Sequence, residues 1–314
     1  MRILLLGSNG QVGWQLRRSL AVLGEITALH RHSAPLCGDL ARPDALAQTI
    51  RSVAPDVIVN AAAYTDVDGA ESEAAAAFAI NATACETIAT EAARLGAWLV
   101  HYSTDYVFDG SGERPWNETD PAAPLNAYGR SKLAGERAVT AGHTRNLVLR
   151  TGWVFDTWGR NFLKSILRAA SERDSLNVVC DQWGAPTRAA LIADATAQML
   201  PRLRPGQAGI YHLAAAGETT WHGYASLALA YATECGMALK CGPAQIRAVP
   251  SAQYPAAAIR PCNSRLDTRK LRSEFSLALP SWEDGVRSVV AELAALGTNR
   301  WQQDSHARHT HHLG

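Results

Sequence analysis

The sequence lacks a long apolar stretch in its first residues. Met1 is followed by a short apolar run, Ile3–Leu6, which Gly7 and polar residues end at once. A secretory signal needs about 7–15 apolar residues and a membrane-spanning helix about 20. We therefore expect a cytoplasmic protein that is neither exported nor anchored in a membrane.

Cysteine pairs with a diagnostic spacing are also missing. The chain has six cysteines, none of which forms a CxxC pair. Six cysteines in 314 residues is far below the density of a small secreted scaffold that depends on disulfides. The six are therefore interpreted as free, reduced thiols of a cytoplasmic protein.

A net charge of one sign is missing as well. Lys and Arg number 30 and Asp and Glu number 29, with the two signs interspersed, so the formal net charge is +1. Such a chain has no broad electrostatic field that would attract nucleic acid or anionic lipid. We expect no nucleic-acid partner and no membrane partner, and an anionic small molecule must be bound by local groups.

What the sequence does contain is an alternation of two patterns. Short β-branched or Leu-rich runs alternate with Ala-rich stretches whose apolar residues recur every three or four positions, as in βαβ units around a parallel sheet. The predicted strands are Ile3–Leu6, Ile26–Leu29, Val57–Asn60, Trp98–Tyr102 and Asn146–Arg150. The predicted helices are Val12–Leu23, Leu46–Val53, Glu71–Leu95 and Ala127–Thr140. This is the pattern of an α/β fold with a Rossmann-type doubly wound parallel sheet.

The chain length predicts a larger and a smaller domain. After Arg150 the alternation loosens, although one helix and one more strand follow before residue 217. We expect residues 1–151 and 187–216 to form the dinucleotide-binding domain, and residues 152–186 and 217–299 to form a smaller α/β substrate-binding domain. The His-rich residues 300–314 are predicted to be a disordered tail.

A glycine-rich turn, Gly7–Gly13, directly follows the first predicted strand and opens the first helix. Backbone N–H groups and the positive end of the helix dipole can bind a pyrophosphate there. The spacing is GxxGxxG rather than GxGxxG, and a strand-to-helix turn without a ligand would also use glycine. The position after the first strand favours the dinucleotide. The predicted cofactor contacts in this turn are Gly7, Asn9, Gly10, Gln11, Val12 and Gly13.

Basic residues, His30-Arg31-His32, occupy the end of the second strand, where NAD-binding folds carry an acidic residue. A guanidinium binds phosphate in bidentate fashion, whereas a carboxylate repels it. His30 and Arg31 therefore favour NADPH, with NADH still possible, and a solvated basic turn is the alternative for Arg31. The remaining predicted cofactor contacts are Asp39 and Leu40 near the adenine and Ala61, Ala62 and Ala63 near a ribose.

A tyrosine and a lysine, Tyr128 and Lys132, lie four residues apart on one face of a predicted helix. A nearby ammonium lowers the pKa of a phenol and makes it a better acid–base group. The pair alone also arises by chance. Thr104 completes the predicted catalytic set because it ends the fourth strand, at the sheet edge where ligands bind. The run Ser103-Thr104-Asp105 could also cap a turn, and for Ser103 both interpretations stay open.

Together these motifs resemble the dTDP-4-dehydrorhamnose reductase family of the extended short-chain dehydrogenase/reductase superfamily. The resemblance covers nearly everything before the tail. It is carried by Gly7–Gly13, Asn60–Thr65, Ser103–Gly110, Tyr128–Lys132, Arg150–Val154, Asp181–Thr187 and Arg260–Leu266.

The resemblance implies an oxidoreductase that uses NADPH to reduce the C4 keto group of dTDP-4-dehydro-β-L-rhamnose to dTDP-L-rhamnose. This is the last step in making a nucleotide sugar for surface polysaccharide, including lipopolysaccharide O-antigen. It implies Tyr128 as proton donor, Lys132 as a ligand of the nicotinamide ribose that depresses the tyrosine pKa, and Thr104 as the group that aligns the keto oxygen. The substrate contacts that it implies are Thr65, Val67, Thr104, Asp105, Trp153 and Arg260.

The chain departs from the family pattern in two places. His30 replaces the usual acidic residue, which agrees with NADPH. In some members three carboxylates hold a magnesium ion between two subunits, and the matching positions here are Gln15, Ala190 and Glu292. A hard dication needs several oxygen ligands. We therefore expect no magnesium or other metal, and a monomer or a weak homodimer.

Two other functions stay open. A sugar-nucleotide epimerase or dehydratase shares the glycine turn and the Tyr–Lys pair, but related dehydratases follow the threonine with Asp-Glu, whereas this chain has Asp105-Tyr106. A non-catalytic NADP-binding regulatory subunit would keep the nucleotide pocket without turnover. The intact Thr104, Tyr128 and Lys132 favour an enzyme.

Overall fold

Strands and helices alternate along the part of the chain that the structure, a computed structural model, describes: residues 1–142 and 144–297. The strands are β1 (Arg2–Leu6), β2 (Glu25–Leu29), β3 (Val57–Asn60), β4 (Trp98–Thr104), β5 (Asn146–Thr151), β6 (Val154–Phe155), β7 (Leu176–Val179), β8 (Trp183–Gly184), β9 (Thr187–Arg188), β10 (Gly209–His212), β11 (Thr219–Thr220) and β12 (Ile246–Val249). The helices are α1 (Gln11–Ser19), α2 (Pro43–Val53), α3 (Gly69–Ser72), α4 (Ala74–Phe78), α5 (Ala84–Leu95), α6 (Ala127–Gly142), α7 (Phe162–Glu172), α8 (Ala189–Met199), α9 (Trp221–Glu234), α10 (Arg269–Phe275) and α11 (Trp282–Ala295).

Six parallel strands form one sheet in the order β10-β5-β4-β3-β1-β2. Successive side chains of a strand point to opposite faces. Ile3 and Leu5 of β1 therefore pack on the side of α1 and α8, whereas Leu4 and Leu6 pack on the side of α2 and α5. A sheet covered on both faces explains why the first strand is an uninterrupted apolar run. The predicted α/β fold with a doubly wound sheet is confirmed.

Strand β1 lies between β2 and β3. The strand that follows β1 in the chain is therefore added on one side of it, and all later strands of the sheet are added on the other side. The helices that follow β1 and β3 lie on opposite faces of the sheet. Ligands of doubly wound sheets bind in the crevice at such a point, beyond the carboxyl ends of the strands. Gly7 leaves β1 and Ala61 leaves β3 at this crevice.

A second apolar core lies outside the sheet, among α7, α9, α11 and the paired strands β7 and β12. Its centre is the fully buried Tyr224, whose ring contacts Phe155, Phe162 and Trp282. We call these elements the second lobe, and the six-stranded sheet with its helices the first lobe. The buried residues of this core come from 155–178 and 215–293, while β10 between them joins the main sheet. The chain thus passes between the lobes repeatedly.

The segment Glu71–Leu95, which its periodicity predicts as one helix, is divided into several pieces. A π-helical turn, Ala79–Thr83, separates α4 from α5. Asn81 in this turn accepts the N–H of Tyr64 at 2.9 Å and donates from Nδ2 to the Tyr64 carbonyl at 3.0 Å and to Ser131 Oγ at 3.0 Å. Apolar periodicity carries no information about such amide contacts. A π turn at this point ties α6 to the crevice.

In residues 1–142 and 144–297, the structure contains no helix with both the length and the apolar character needed to cross a membrane. All six cysteines lie in these ranges and are free thiols. The segment 300–314, predicted as a tail, lies outside the described residues.

Candidate active site

The glycine-rich turn between β1 and α1 has a backbone that requires glycine. Gly7 has φ +79°, and a Cβ atom there would lie 2.5 Å from the Ala62 nitrogen. A Cβ atom at Gly13 would overlap the Gly7 carbonyl oxygen. Gly10, which precedes α1, has no side chain that could cap the helix, so the N–H groups of the first turn are left for an anion. The turn fits the pyrophosphate of a dinucleotide. The other predicted contacts here, Asn9, Gln11 and Val12, are exposed or half-buried.

The turn after β2 places basic side chains at the rim of the crevice. The backbone N–H of His30 donates to Ser33 Oγ at 2.9 Å, and that of His32 donates to the ring Nδ1 of His30 at 3.1 Å. Arg31, held between them, is exposed. This arrangement fits a phosphate on the adenosine ribose, because a guanidinium at the surface can meet it without displacing a core side chain.

The remaining predicted cofactor contacts differ in what they can offer. Leu40 is buried in the apolar core beside the sheet, so only its backbone is left for the predicted contact with adenine. The Asp39 carboxylate accepts the N–H of Ala41 at 3.0 Å. Residues Ala61, Ala62 and Ala63 are half-buried at the end of β3, beside Gly7, and leave room for a ribose.

Two predicted catalytic hydroxyls meet at the carboxyl end of β4. Thr104 ends this strand, Tyr128 is the second residue of α6, and the Thr104 hydroxyl is near enough to act on the pKa of the Tyr128 phenol. Burial raises the pKa of Tyr128 to about 12, against the lowering effect of the nearby Thr104 hydroxyl, and the negative charge of the neighbouring Asp105 adds to the rise. This direction is opposite to the one that the Tyr–Lys spacing predicts, because burial dominates.

Lys132 lies one helical turn beyond the tyrosine and has only 2% of its surface exposed. Its Nζ donates to the Tyr102 carbonyl oxygen at 2.7 Å, which holds the ammonium against β4. Burial lowers the pKa of Lys132, while Cys85 and Glu136 act in the opposite direction. The structure thus buries the predicted lysine against β4, on the same helix as the tyrosine.

A buried carboxylate, Asp105, lies against the threonine. It is 2% exposed, and a Cβ atom at Gly152 would lie 2.5 Å from its Cγ. Burial raises the pKa of Asp105 to about 6, although the nearby hydroxyl of Ser264 and the hydrogen bond from Thr104 oppose the rise. The sequence predicts that Asp105 contacts the substrate. The structure shows in addition that Asp105 accepts a hydrogen bond from Thr104, one of the predicted catalytic residues.

Trp153 follows β5 in a left-handed backbone conformation, with φ +50°. Its ring stacks on Trp221 of the second lobe, with centroids 3.6 Å apart and planes inclined by 8°. A Cβ atom at Gly184 would lie 2.6 Å from the Trp153 ring, and Trp221 Nε1 donates to Gln182 Oε1 at 3.1 Å. The left-handed backbone and the packing around the ring hold the half-buried Trp153 indole in one orientation. A fixed indole is what the predicted wall of a substrate pocket would need.

One of the other predicted substrate contacts, Arg260, forms an ion pair between the lobes. Arg260 of the second lobe binds Asp68 with N–O distances of 2.6 and 3.3 Å. The N–H of Ala258 donates to the same carboxylate at 2.9 Å. Asp68 lies on the connection after β3 that also carries the exposed Thr65 and the half-buried Val67. Arg260 is therefore tied to the connection that carries Thr65 and Val67.

Two residues that hold the start of α6, the helix that carries Tyr128, were not predicted from the sequence. Asn126 Oδ1 accepts the N–H of Gly129 at 2.8 Å, and Glu71 Oε1 accepts the N–H of Ala127 at 2.7 Å. An asparagine directly before a helix is a recognisable N-cap signal. Nothing in the sequence pairs Glu71 with a helix that begins 56 residues later.

The three positions that match the family's magnesium ligands have other surroundings here. Glu292 accepts hydrogen bonds from Arg188 Nη2 at 2.8 and 2.9 Å. Gln15 and Ala190 carry no carboxylate. Within residues 1–142 and 144–297, no three His, Cys, Asp or Glu side chains are grouped so that they could hold a metal ion.

Known proteins match nearly the whole chain. The family model of the RmlD substrate binding domain matches residues 1–295. The chain is 51% identical over 295 residues to dTDP-4-dehydrorhamnose reductase of Salmonella typhimurium and 50% identical over 295 residues to that of Escherichia coli, and each match covers 93% of this chain and 98% of the relative. The crystal structure of dTDP-4-dehydrorhamnose reductase from Bacillus anthracis in complex with NADP is similar with a TM-score of 0.84 at 33% identity, covering 93% of this chain and 99% of that one. The chain therefore belongs to the dTDP-4-dehydrorhamnose reductase family.

Proposed function

We propose that this protein is an NADPH-dependent reductase that converts dTDP-4-dehydro-β-L-rhamnose to dTDP-L-rhamnose, the last step in making this nucleotide sugar for surface polysaccharide. The observation that carries the proposal is the neighbouring hydroxyls of Thr104, at the end of β4, and Tyr128, at the start of α6, at the sheet edge that also carries a dinucleotide-binding turn. Relatives that are about half identical over nearly their full length are dTDP-4-dehydrorhamnose reductases, which supports the choice of substrate.

Binding of the cofactor is assigned to the carboxyl edge of the sheet. The turn Gly7–Gly13 binds the pyrophosphate, Arg31 with His30 binds the adenosine 2′-phosphate, and Ala61–Ala63 leave space for the ribose. Lys132 faces the nicotinamide ribose. When bound, the reduced nicotinamide supplies a hydride. NADPH is the preferred cofactor because its 2′-phosphate can form charge-assisted hydrogen bonds with the basic turn, whereas the uncharged 2′-hydroxyl of NADH cannot.

Tyr128 supplies the proton of the reaction. As hydride reaches C4 of the sugar, the C4–O double bond becomes a single bond and negative charge develops on the oxygen. The Tyr128 hydroxyl gives its proton to this oxygen, which forms the product alcohol. Because burial raises the pKa of Tyr128 to about 12, the phenol stays protonated at neutral pH until a strong base such as an alkoxide appears. Lys132 balances the charge that remains on the phenolate.

The second lobe binds the nucleotide part of the substrate in the proposed arrangement. Trp153 forms one wall of the pocket, and Arg260 with Thr65 and Val67 borders it where the lobes meet. Residues 1–151 and 187–216 make up the proposed dinucleotide-binding domain, and residues 152–186 and 217–299 the proposed substrate-binding domain. The return of β10 to the main sheet and the separate apolar core around Tyr224 support this division.

The proposed working form is a cytoplasmic monomer or weak homodimer. Six free thiols fit a reducing compartment. Arg188 engages Glu292, which fits a protein that does not share a metal ion between subunits at this carboxylate.

The test is to mix the purified protein with enzymatically prepared dTDP-4-dehydrorhamnose and follow NADPH absorbance, with NADH in a parallel reaction. We expect rapid oxidation of NADPH, slower oxidation of NADH, and a loss of at least about a hundredfold in kcat for Tyr128→Phe. Binding of NADPH without oxidation would contradict the proposal and favour a regulatory subunit. Release of water from dTDP-glucose without net oxidation of the cofactor would favour a dehydratase.

A further inference from the structure

A loop of the second lobe reaches the glycine-rich turn of the first. Trp158 Nε1 donates to the carbonyl oxygen of Asn9 at 2.9 Å, between residues 149 positions apart. Asn161 Nδ2 donates to Gln11 Oε1 at 2.9 Å. Asn9 and Gln11 flank the point where the turn enters α1. The turn that faces the pyrophosphate is therefore held from the side by side chains of the loop 156–161.

The direction of the Trp158 indole is fixed by a second tryptophan. Its ring stacks on Trp14 of α1, with centroids 4.2 Å apart and planes inclined by 11°, and the Arg17 guanidinium lies 4.9 Å from the centre of the Trp14 ring. Trp158 is 36% exposed and Trp14 is 39% exposed. Both rings stay partly in water, so filling of the core does not account for the pair. Stacking restricts the ring plane and aims the N–H group at Asn9.

The loop itself is fitted to the turn. Gly159 has φ +78°, and a Cβ atom there would lie 2.8 Å from Gln11 Cγ. Asn161, which binds Gln11, also caps α7, since its Oδ1 accepts the N–H of Lys164 at 3.0 Å. A glycine that permits close approach and an asparagine anchored in a helix cap place Trp158 over the turn.

We infer that Trp158 is a positioning residue for the cofactor, which acts through Asn9 to hold the glycine-rich turn in the shape that receives the pyrophosphate. The inference rests on the proposed dinucleotide-binding function. An anion binds strongly only if several backbone N–H groups already point at it, because ordering a loose turn during binding reduces the affinity. The Asn9 carbonyl oxygen must also point away from the phosphate, and the indole N–H holds it there. Thr104 and Tyr128 lie on other elements, so the effect falls on cofactor affinity and spares the chemical step.

Three variants separate the contributions. Trp158→Phe keeps an aromatic ring for the stack and removes the N–H donor, whereas Trp158→Ala removes both. Trp98→Phe removes an indole at the amino end of β4, and serves as the matched control. The amino ends of the strands lie opposite the carboxyl ends that face the proposed cofactor site. Calorimetric titration gives the Kd of NADPH and NADP, steady-state kinetics give kcat and KM, and thermal melts establish that each variant is folded.

We expect Trp158→Phe to weaken NADPH binding by about two- to tenfold, the value of one neutral hydrogen bond. Trp158→Ala should weaken it further, with kcat at saturating NADPH and the KM for the sugar nucleotide unchanged, and Trp98→Phe should leave Kd unchanged. A folded Trp158→Ala protein with the Kd of the unsubstituted chain would overturn the inference. Titration needs no turnover, so a protein that binds NADPH but reduces no sugar would refute the proposed reaction and still test Trp158. A chain that binds neither cofactor would refute both.

Discussion

The Thr104 hydroxyl donates its only proton to Asp105 Oδ1, at 2.9 Å. The same oxygen accepts the N–H of Tyr106 at 3.2 Å, and the Thr104 hydroxyl lowers the pKa of the neighbouring Tyr128. A hydroxyl has one proton to give, so Thr104 has no proton left for a substrate oxygen while Asp105 is ionised and holds it. Once Asp105 is protonated, it no longer needs the hydrogen bond from Thr104. Only then can the Thr104 hydroxyl donate its proton to the keto oxygen of the substrate and align it.

The first prediction is that kcat depends on the protonation of Asp105. Burial raises the pKa of Asp105 to about 6, so its protonated fraction grows as the pH falls through that value. We expect kcat at saturating substrates to rise as the pH falls from 8 through about 6 and to level off below. Asp105→Asn offers an amide N–H to Thr104 at every pH, so its kcat should be flat over this range.

The groups around Asp105 do not titrate in the same range. Tyr106 and Tyr128 have pKa values raised by burial, and Ser264 is uncharged. The measurement is kcat at half-unit steps of pH, with a blank at each pH that corrects for acid breakdown of NADPH. A profile that is unchanged in Asp105→Asn would show that another group controls the reaction.

The second prediction concerns the choice of cofactor. Arg31 is exposed at the end of β2, in the place proposed for the adenosine 2′-phosphate. Arg31→Ala should raise the KM for NADPH about tenfold, the effect of losing one charge-assisted contact, and leave the KM for NADH within about twofold. Added salt should reduce the difference in the KM for NADPH between the unsubstituted protein and the Arg31→Ala variant, because screening weakens an exposed charge–charge contact. Equal losses with both cofactors would contradict the proposed role.

The part of the site that the sequence predicts consists of features with local causes. A glycine-rich turn has to follow the first strand for its N–H groups to face a phosphate, and both Gly7 and Gly13 have the close contacts that this geometry demands. Thr104 and Tyr128 lie at the end of a strand and the start of a helix, and both elements are visible as apolar periodicity. Order along the chain therefore suffices to bring these residues to one edge of the sheet.

The part that the sequence could not predict consists of contacts between distant residues. Arg260 meets Asp68 across 192 positions, and its partner depends on how the two lobes pack. The pKa of Tyr128 belongs to the same class, because its direction depends on burial that a Tyr–Lys spacing does not reveal. Helix periodicity likewise misses the π turn at Asn81, whose cause is a set of amide hydrogen bonds.

The third prediction concerns metal ions. Since Gln15 and Ala190 carry no carboxylate and Glu292 is bound to Arg188, neither EDTA nor magnesium should change kcat or the mass in sedimentation experiments. The double variant Gln15→Glu with Ala190→Glu supplies two further carboxylates at the family positions. It should form a dimer in magnesium that EDTA dissociates. Loss of activity in EDTA that magnesium restores in the unsubstituted protein would show a metal site that these residues do not explain.

The last prediction concerns Asn126, which joins α6, the helix that carries the proposed proton donor Tyr128, to the second lobe. Its Oδ1 caps α6 at Gly129, and its Nδ2 donates to the Ile259 carbonyl oxygen at 2.9 Å. Asn126→Ala should lower the free energy of unfolding by about 1–3 kcal/mol, since a helix cap is lost and a partly buried carbonyl oxygen loses its donor. It should also lower kcat, because Tyr128 lies two residues further on. Urea unfolding and steady-state kinetics measure the two effects.

Asn126→Asp separates the two contacts of this side chain. A carboxylate still accepts the N–H of Gly129 but cannot donate to Ile259, so this variant should keep the helix start while loosening the second lobe. If α6 alone positions Tyr128, Asn126→Asp should recover most of the kcat that Asn126→Ala loses. If the lobe contact matters as well, Asn126→Asp should keep kcat and raise the KM for the sugar nucleotide, because Arg260 lies next to Ile259. An Asn126→Ala protein that is less stable but has full kcat would reduce the residue to a structural cap.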